Sequence, residues 1–327
     1  ADLGSYTSTD GTIGSAGTTA GLADINLAAD TFHRSFTDSI PLTAETETLP
    51  DMQGSGVLRD LREAASLPIP AGAAFTGLLA QYAITDTRAA QLAQLDNLLI
   101  AWGATSGFPD MASRVAEHDY SFVTNLDATH RARLTALEQF NGRSFYQLHW
   151  ETASGQGGVT GMTIGTDAAG APQVRVNMNG GQIALLDQAW NALRQSVYDG
   201  LLLQTRLKHY LDVADLVLSD TGIGMDFSGV DAVFQTRYEQ APGEAVRDLL
   251  DLQRIAGGKL SGSGWDGYGQ LRGWLSDAAT NPDLDAATRT ALMSNLVAGL
   301  ADFGYPGLRL NGDGTSASEA VIGSDTG

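Results

Sequence analysis

The run His149-Trp150-Glu151 combines a titratable ring, an aromatic platform and a carboxylate. Glycoside hydrolases place two carboxyl groups on either side of the bond that they cleave. If the run is a strand, His149 and Glu151 share one face, because side chains alternate along a strand. The pattern therefore permits a hydrolase site at these two residues. A strand end that carries a half-buried tryptophan explains the same residues more simply.

A second aromatic group, made of Trp265, Tyr268 and Trp274, lies in the glycine-rich run GSGWDGYGQLRGW. Aromatic rings between flexible residues form surfaces on which sugars or peptides can stack. The sequence thus offers these three residues as a binding surface. The alternative is a glycine-rich loop followed by a helix that buries Leu271 and Trp274.

The C-terminal run NGDGTSASE contains alternating oxygen ligands of the kind that Ca²⁺ prefers. It is not an EF-hand loop, because the twelfth position, which needs a bidentate carboxylate, is Ile322. A looser calcium site that uses Asp313 or Asp325 remains one interpretation, and a solvated turn is the other. Zinc is disfavoured, since the chain has no cysteine and no H-E-x-x-H motif.

The loop Gly54-Ser55-Gly56 precedes a strongly amphipathic segment, residues 57–65. We interpret it as the start of a helix, with Ser55 accepting hydrogen bonds from the first turn. A phosphate-binding loop is the alternative, but the lysine of a P-loop and the strand before it are missing. No G-x-S-x-G nucleophile motif is present either.

The composition limits the partners and the cellular location that the chain is expected to have. The 327 residues carry a formal charge of −19, which argues against nucleic-acid partners, because phosphate binding depends on Lys and Arg. The absence of cysteine favours export without disulfides. No apolar run reaches transmembrane length, and the first thirty residues lack the layout of a signal peptide. We therefore expect either a trimmed start or another export signal.

Helical periodicity dominates the chain after Pro68. The longest pattern predicts a buried helix from about Gln182 to Tyr210. Further helices are expected to begin at capping residues or at a proline in the first turn, namely Thr85 or Asp86, Asp127, Ser228 and Pro242. The fold class that follows is mainly α, an irregular helical bundle with two or three small β-hairpins.

Three segments are candidates for those hairpins. Residues 161–179 alternate apolar and polar types around Asp167–Gly170, and residues 215–229 repeat the design around Asp220–Gly222. Asp10-Gly11 marks a third hairpin within residues 1–23, where a flexible linker is the alternative. The predicted organisation is a linker or hairpin over 1–23, a helical body over 24–310 and a polar tail over 311–327.

Much of the chain resembles the non-repetitive region of very large RTX proteins, the hemolysin-type calcium-binding family. The resemblance rests on residues 24–67, 184–212 and 261–275, and the tail SASEAVIGSDTG is similar to the lead-in to the nonapeptide repeats of that family. The repeats themselves are missing. The resemblance implies type I secretion from Gram-negative bacteria into a calcium-rich medium, and a secreted or cell-surface location.

The function expected from this resemblance is an adhesin-like or toxin-like module without its own catalysis. Its partner would be a host or neighbouring cell surface, through a polysaccharide or protein target. Calcium is the one cofactor expected, while nucleic acid and a membrane span are not. The alternatives are a secreted hydrolase of polysaccharide or peptide, built around His149 and Glu151, and a structural spacer between modules.

Overall fold

The computed structural model describes residues 36–149, 154–157, 162–219, 222–260 and 264–304. The described chain is mainly α-helical with a few short strands, as the sequence predicted. Within these residues no helix has both the length and the apolar character that crossing a bilayer requires. The linker or hairpin predicted over 1–23 and the polar tail predicted over 311–327 lie outside the described residues.

Eleven α-helices occur in the described residues, at Leu61–Ala65 (α1), Pro70–Ala83 (α2), Arg88–Ala104 (α3), Met111–Ala116 (α4), Ala128–Asn141 (α5), Gly180–Leu202 (α6), Lys208–Leu211 (α7), Val230–Gln240 (α8), Pro242–Leu260 (α9), Gly267–Thr280 (α10) and Ala286–Ala301 (α11). The described strands are Ser121–Thr124 (β1), Tyr146–His149 (β2), Ser154–Gly157 (β3), Met162–Thr166 (β4), Pro172–Val176 (β5), Asp215–Ser219 (β6) and Gly222–Asp226 (β7).

The helices divide between two compact units. Unit 1 is formed within Ala1–Leu78 and Asn97–Leu193, and unit 2 within Leu79–Asp96 and Arg194–Gly327. The boundaries predicted at residues 23 and 310 fall outside the described residues and stay predictions. Each unit has its own aromatic core.

In unit 1, Trp102 is almost fully buried and organises the core. Its ring stacks on Phe75 at 6.3 Å between centroids and meets Phe140 edge-on at 5.1 Å. Its indole N–H donates to the carbonyl oxygen of Arg59 at 3.0 Å. The ring of this buried tryptophan thus contributes apolar packing, and its N–H makes one directional hydrogen bond.

Unit 1 also contains a three-stranded sheet with the order β1-β5-β4. The β4–β5 pair is the predicted hairpin, with Asp167 accepting hydrogen bonds from the turn amides of Ala169 and Ala171 at 2.9 Å. Strand β1 adds to β5 in parallel, with Ser121 opposite Gln173. A separate antiparallel ribbon pairs β2 with β3, placing His149 opposite Ser154.

In unit 2, the core rings stack in series. Phe234 of α8 lies between Tyr210, at 3.9 Å, and Trp265, at 5.3 Å. Tyr238 stacks on Trp274 at 4.8 Å. The second predicted hairpin is present as the antiparallel pair β6–β7, although its turn residues 220–221 are not described.

Several helix ends confirm the sequence analysis. Asp127 caps α5 by accepting from the amide of His130 at 2.8 Å, and α5 ends at Gly142 with a φ of 76°. Pro242 is the first residue of α9. The predicted caps of α3 and α8 are wrong. Helix α3 begins at Arg88 and α8 follows Gly229, so Thr85, Asp86 and Ser228 do not serve as N-caps.

The helix predicted from Gln182 to Tyr210 is also broken. Helix α6 ends at Leu202, and a tight turn leads into α7. In that turn the amide of Leu207 donates to the carbonyl oxygen of Leu202, five residues back, and the Thr205 hydroxyl donates to the carbonyl oxygen of Leu201. The turn directs the Arg206 side chain into the interior of unit 2, where only 1% of it is exposed.

The glycine loop before α1 has a different role from the one predicted. Helix α1 begins only at Leu61, and the Ser55 hydroxyl donates to the carbonyl oxygen of Phe140 at 3.0 Å. The Val57 amide donates to the carbonyl oxygen of Gln139. The loop thus supplies donors to carbonyl groups in the last turn of α5, and the Gln139 carbonyl also accepts from the Gly142 amide at 3.2 Å. Its Ser55 hydroxyl and Val57 amide donate to carbonyls, an arrangement unlike a phosphate site.

Candidate functional site

Most residues proposed for catalysis or calcium binding lie outside the described residues. His149 is described by its backbone, as the last residue of β2. Glu151, Asp313 and Asp325 lie outside the described residues. The hydrolase and calcium assignments at these positions therefore stay predictions. Among the described residues, no group of three or more His, Asp or Glu side chains is arranged to hold a metal ion.

The aromatic residues proposed as a binding surface lie mainly in the core of unit 2. Trp265 and Trp274 are only 6% and 4% exposed. Their rings stack on Phe234 and Tyr238, and their indole N–H groups donate to Gln270 and Gln235. Tyr268 is half-buried on α10. The structure thus gives the two tryptophans the packing role that the sequence left as the alternative, because core stacking occupies their rings.

The densest set of ionisable side chains in the described residues was missed by the sequence analysis. At its centre, in unit 2, Arg206 forms ion pairs with Asp248 and Asp251. Both carboxylates are completely buried. We call this group the buried arginine cluster, and its outer members are the side chains of Gln91, Tyr198, Tyr210, Arg88, Arg237 and Arg254.

Local sequence explains how the cluster is assembled. Asp248 and Asp251 are three residues apart on α9, so they lie on the same face of the helix. Helix α9 also buries Val246, Leu249 and Leu252. Arg206 reaches it from the turn that ends α6. Glu244 lies one turn before Asp248 on the same face, so the local pattern is that of a solvated acidic face and does not reveal that the two aspartates are buried.

The oxygens of both carboxylates are occupied. Asp248 accepts from Arg206 through Oδ1, and through Oδ2 from the Tyr210 hydroxyl at 2.8 Å and from Arg237 at 3.3 Å. Asp251 accepts through Oδ2 from Arg206 and from the Tyr198 hydroxyl, and through Oδ1 from Arg254 at 2.9 Å. Arg88 Nε lies a further 3.4 Å from Asp251 Oδ2.

The tyrosines of the cluster act as neutral donors. Burial raises the pKa of the Tyr198 hydroxyl well above its ordinary value, although the nearby Arg206 lowers it. Burial likewise raises the pKa of the Tyr210 hydroxyl. Both phenols therefore remain protonated at neutral pH, and each donates its one hydrogen to an aspartate.

This arrangement has a structural consequence and a chemical one. A general base or nucleophile needs a lone pair that a substrate can reach, and here both carboxylates are sealed from solvent and each of their oxygens already accepts a hydrogen bond. His209 lies beside the cluster and stacks on Tyr210 at 3.9 Å. Partial burial and the nearby Arg237 lower its pKa. The cluster thus ties α6, α7 and α9 together, and its two carboxylates are closed to a substrate.

One curated protein similar to this chain is Iron-regulated protein FrpA from Neisseria meningitidis serogroup C, which is 30% identical over 281 residues. The alignment covers 84% of this chain and 23% of that protein, so the chain matches less than a quarter of the length of its relative. No family model matches the chain. No solved structure matches it either.

Proposed function

We propose that this chain is a non-catalytic module of a large secreted protein of the RTX type, and that it contacts a cell surface in a calcium-containing medium. The observation that carries the proposal is the similarity to FrpA along most of the chain. A module that recurs within a longer protein is expected to align in this way, nearly throughout its own length but over a small fraction of the relative.

The composition supports the exported part of the proposal. The chain has no cysteine and a formal charge of −19, with 38 acidic against 19 basic residues. A fold without thiols needs neither oxidation nor reduction after export. A strongly acidic surface keeps a protein soluble, and divalent cations outside the cell offset its carboxylate repulsion.

The buried arginine cluster supports the non-catalytic part. Catalytic sites typically pair perturbed ionisable groups with a cleft that a substrate can enter. In the described residues, the densest cluster of ionisable side chains has fully buried carboxylates, and each of their oxygens already accepts a hydrogen bond. Such a cluster fixes a conformation, which is what a contact module requires.

We place calcium binding, as part of this proposal, at Asp313 and Asp325. The experiment is thermal unfolding of the chain in chelator and in CaCl₂, with MgCl₂ at the same ionic strength as the control. We expect Ca²⁺ to raise the Tm more than Mg²⁺ does. The Asp313→Asn, Asp325→Asn double variant should lose that difference. Equal effects of the two cations on the parent chain would remove calcium from the proposal.

Cell-surface contact is tested by flow cytometry with the fluorescently labelled chain on epithelial cells and on bacterial cells. We expect saturable binding that an excess of unlabelled chain displaces. A protein of matched negative charge controls for non-specific association. In parallel, the chain is incubated with polysaccharide and peptide substrates. Hydrolysis that disappears in Glu151→Gln would contradict the non-catalytic proposal and favour the hydrolase.

A further inference from the structure

Unit 1 contains a cavity of about 660 Å³ that none of the sites above uses. It lies among the C-terminal end of α3, the beginning of α4, strand β1 and one face of α5. This volume is within the range of about 300–1,000 Å³ that is usual for small-molecule sites. The cavity is therefore large enough for an organic ligand.

Most residues of the cavity walls are small or apolar, and Thr124, Thr135 and Gln139 add polar atoms. Alanines at five positions leave the space open, because no larger side chain fills it: Ala104, Ala112, Ala128, Ala132 and Ala136. The deeper wall is formed by Met111, Leu126 and Leu134, each less than 9% exposed. Val123 of β1 also lines the cavity and is 38% exposed, so apolar surface continues from the interior to solvent. An aliphatic chain fits this lining.

One cation lines the same cavity. Arg131 of α5 is exposed, and its Nη1 donates to the carbonyl oxygen of Leu126 at 2.7 Å. Among the residues that the structure describes, no carboxylate lies within ion-pair distance of Arg131. Its neighbour Arg133 differs, since it pairs with Asp187 at 3.0 Å. The guanidinium of Arg131 thus keeps donors for an anion.

The acidic residue of the lining has a different function. Asp110 precedes α4, and its Oδ1 accepts a hydrogen bond from the amide of Ser113 at 2.7 Å. It is the N-cap of that helix, where a negative charge is favourable. The lining therefore carries one negative charge, held by Asp110 at the N-terminus of α4, and one positive charge, on Arg131.

We propose that this cavity binds a single-chain fatty-acid anion, with the alkyl chain among the alanines and the carboxylate paired with Arg131. An alkyl chain contributes about 0.8 kcal/mol for each methylene that it removes from water. The carboxylate selects this ligand over alcohols and amines of the same length, because only an anion pairs with the guanidinium. This inference is independent of the proposed cell-surface contact.

The test is isothermal titration of the whole chain with decanoate, 1-decanol and decyltrimethylammonium below their micelle concentrations. We expect decanoate to bind most tightly and the cationic amphiphile most weakly. Arg131→Gln should weaken decanoate about tenfold, equivalent to about 1.4 kcal/mol, and leave 1-decanol unchanged. Arg143→Gln, which removes an exposed charge beyond the C-terminal end of α5, is the matched control and should change neither.

A second variant tests the cavity itself. Ala132→Leu places a larger side chain into the lining and should abolish binding of both decanoate and 1-decanol. Ala298→Leu, at an exposed position of α11, is its control. If Ala132→Leu does not fold, as judged by its Tm, Ala128→Leu at an exposed position of the same wall replaces it.

The proposal is overturned by any of three results. These are no heat of binding with decanoate, equal affinity for the anionic and cationic amphiphiles, and binding that Ala132→Leu leaves intact. Failure here would leave the cell-binding and calcium experiments unaffected, because they concern other residues and other readouts.

Discussion

Arg206 shows how a single side chain can fix a conformation at a cost. Bringing one guanidinium and two carboxylates out of water is expensive, and mutual attraction repays that cost only when the geometry and the surrounding hydrogen bonds are good. Here Tyr198 and Tyr210 supply such hydrogen bonds. The cluster is therefore better understood as specifying the turn after α6 than as a large net source of stability.

The first prediction follows from that balance. Arg206→Gln should lower the free energy of unfolding by about 3–5 kcal/mol, because it leaves two buried carboxylates without their main partner. Urea unfolding followed by circular dichroism measures the loss.

The matched control is Lys208→Gln, two residues away. Lys208 pairs with Asp212, and both side chains are more than half exposed. Exposed pairs contribute about 0–1 kcal/mol, so this variant should be nearly neutral. Similar losses in the two variants would mean that the Arg206 pairs contribute no more than a surface pair.

At the scale of elements, the sequence predicted what depends on local periodicity. The apolar spacing in α5, its Asp127 cap and its Gly142 end all lie within one helix, so short-range patterns determine them. Of the three antiparallel pairs in the described residues, β4–β5 and β6–β7 were predicted for the same reason, and β2–β3 was not predicted. The parallel pairing of β1 with β5 joins residues about fifty positions apart, and no local sequence pattern predicts it.

The end of α6 at Leu202 could not be predicted for the same reason, since it depends on residues that are distant in the sequence. Apolar residues continue in a helical pattern through Leu202 and Leu207, and only the aspartates of α9 make the inward turn of Arg206 favourable. For the candidate sites, the sequence left open whether Trp265 and Trp274 form a binding surface or whether the helix that follows the loop buries Trp274. Burial is decided by Phe234 and Tyr238, which come from another helix.

The second prediction concerns the glycine loop before α1. Gly56 has a φ of 62°, and a Cβ there would lie 2.4 Å from both the Gln139 oxygen and the Gly142 nitrogen. These are backbone atoms at the end of α5, so they cannot move aside cheaply. Gly56→Ala should destabilise the chain by about 1–3 kcal/mol, through backbone strain and the displaced contact.

Gly77→Ala is the control for this prediction. Gly77 is inside α2, and a Cβ there meets nothing within 4 Å. Alanine is the better helix former, so the variant should be more stable by about 0.5–1 kcal/mol. Thermal unfolding of both variants checks the pair. A neutral Gly56→Ala would show that the loop does not need its close approach to α5.

At the scale of the whole molecule, two electrostatic effects oppose each other. Exposed ion pairs such as Lys208–Asp212 stabilise the fold and weaken as salt screens them. A net charge of −19 destabilises the fold through self-repulsion, and salt weakens that too. Because single exposed pairs contribute little and 38 acidic residues face 19 basic ones, repulsion should dominate.

The third prediction is therefore that NaCl stabilises this chain. Raising its concentration from about 0.01 M to about 0.1 M shortens the screening length from about 30 Å to about 10 Å. We expect the Tm to rise by about 2–4 °C, which corresponds to about 1 kcal/mol in a domain of roughly 200 residues. Chloride is preferred to sulfate, because sulfate also strengthens apolar burial.

The same NaCl titration distinguishes the contribution of the buried arginine cluster to stability from that of the exposed ion pairs. Salt does not reach ion pairs whose carboxylates are completely buried, so the penalty of Arg206→Gln should be equal at both concentrations. Any small penalty of Lys208→Gln should shrink as salt is added. If the Tm of the parent chain falls instead as NaCl is added, the attraction within exposed ion pairs exceeds the repulsion that comes from the net charge. Cations would then not be needed to offset carboxylate repulsion.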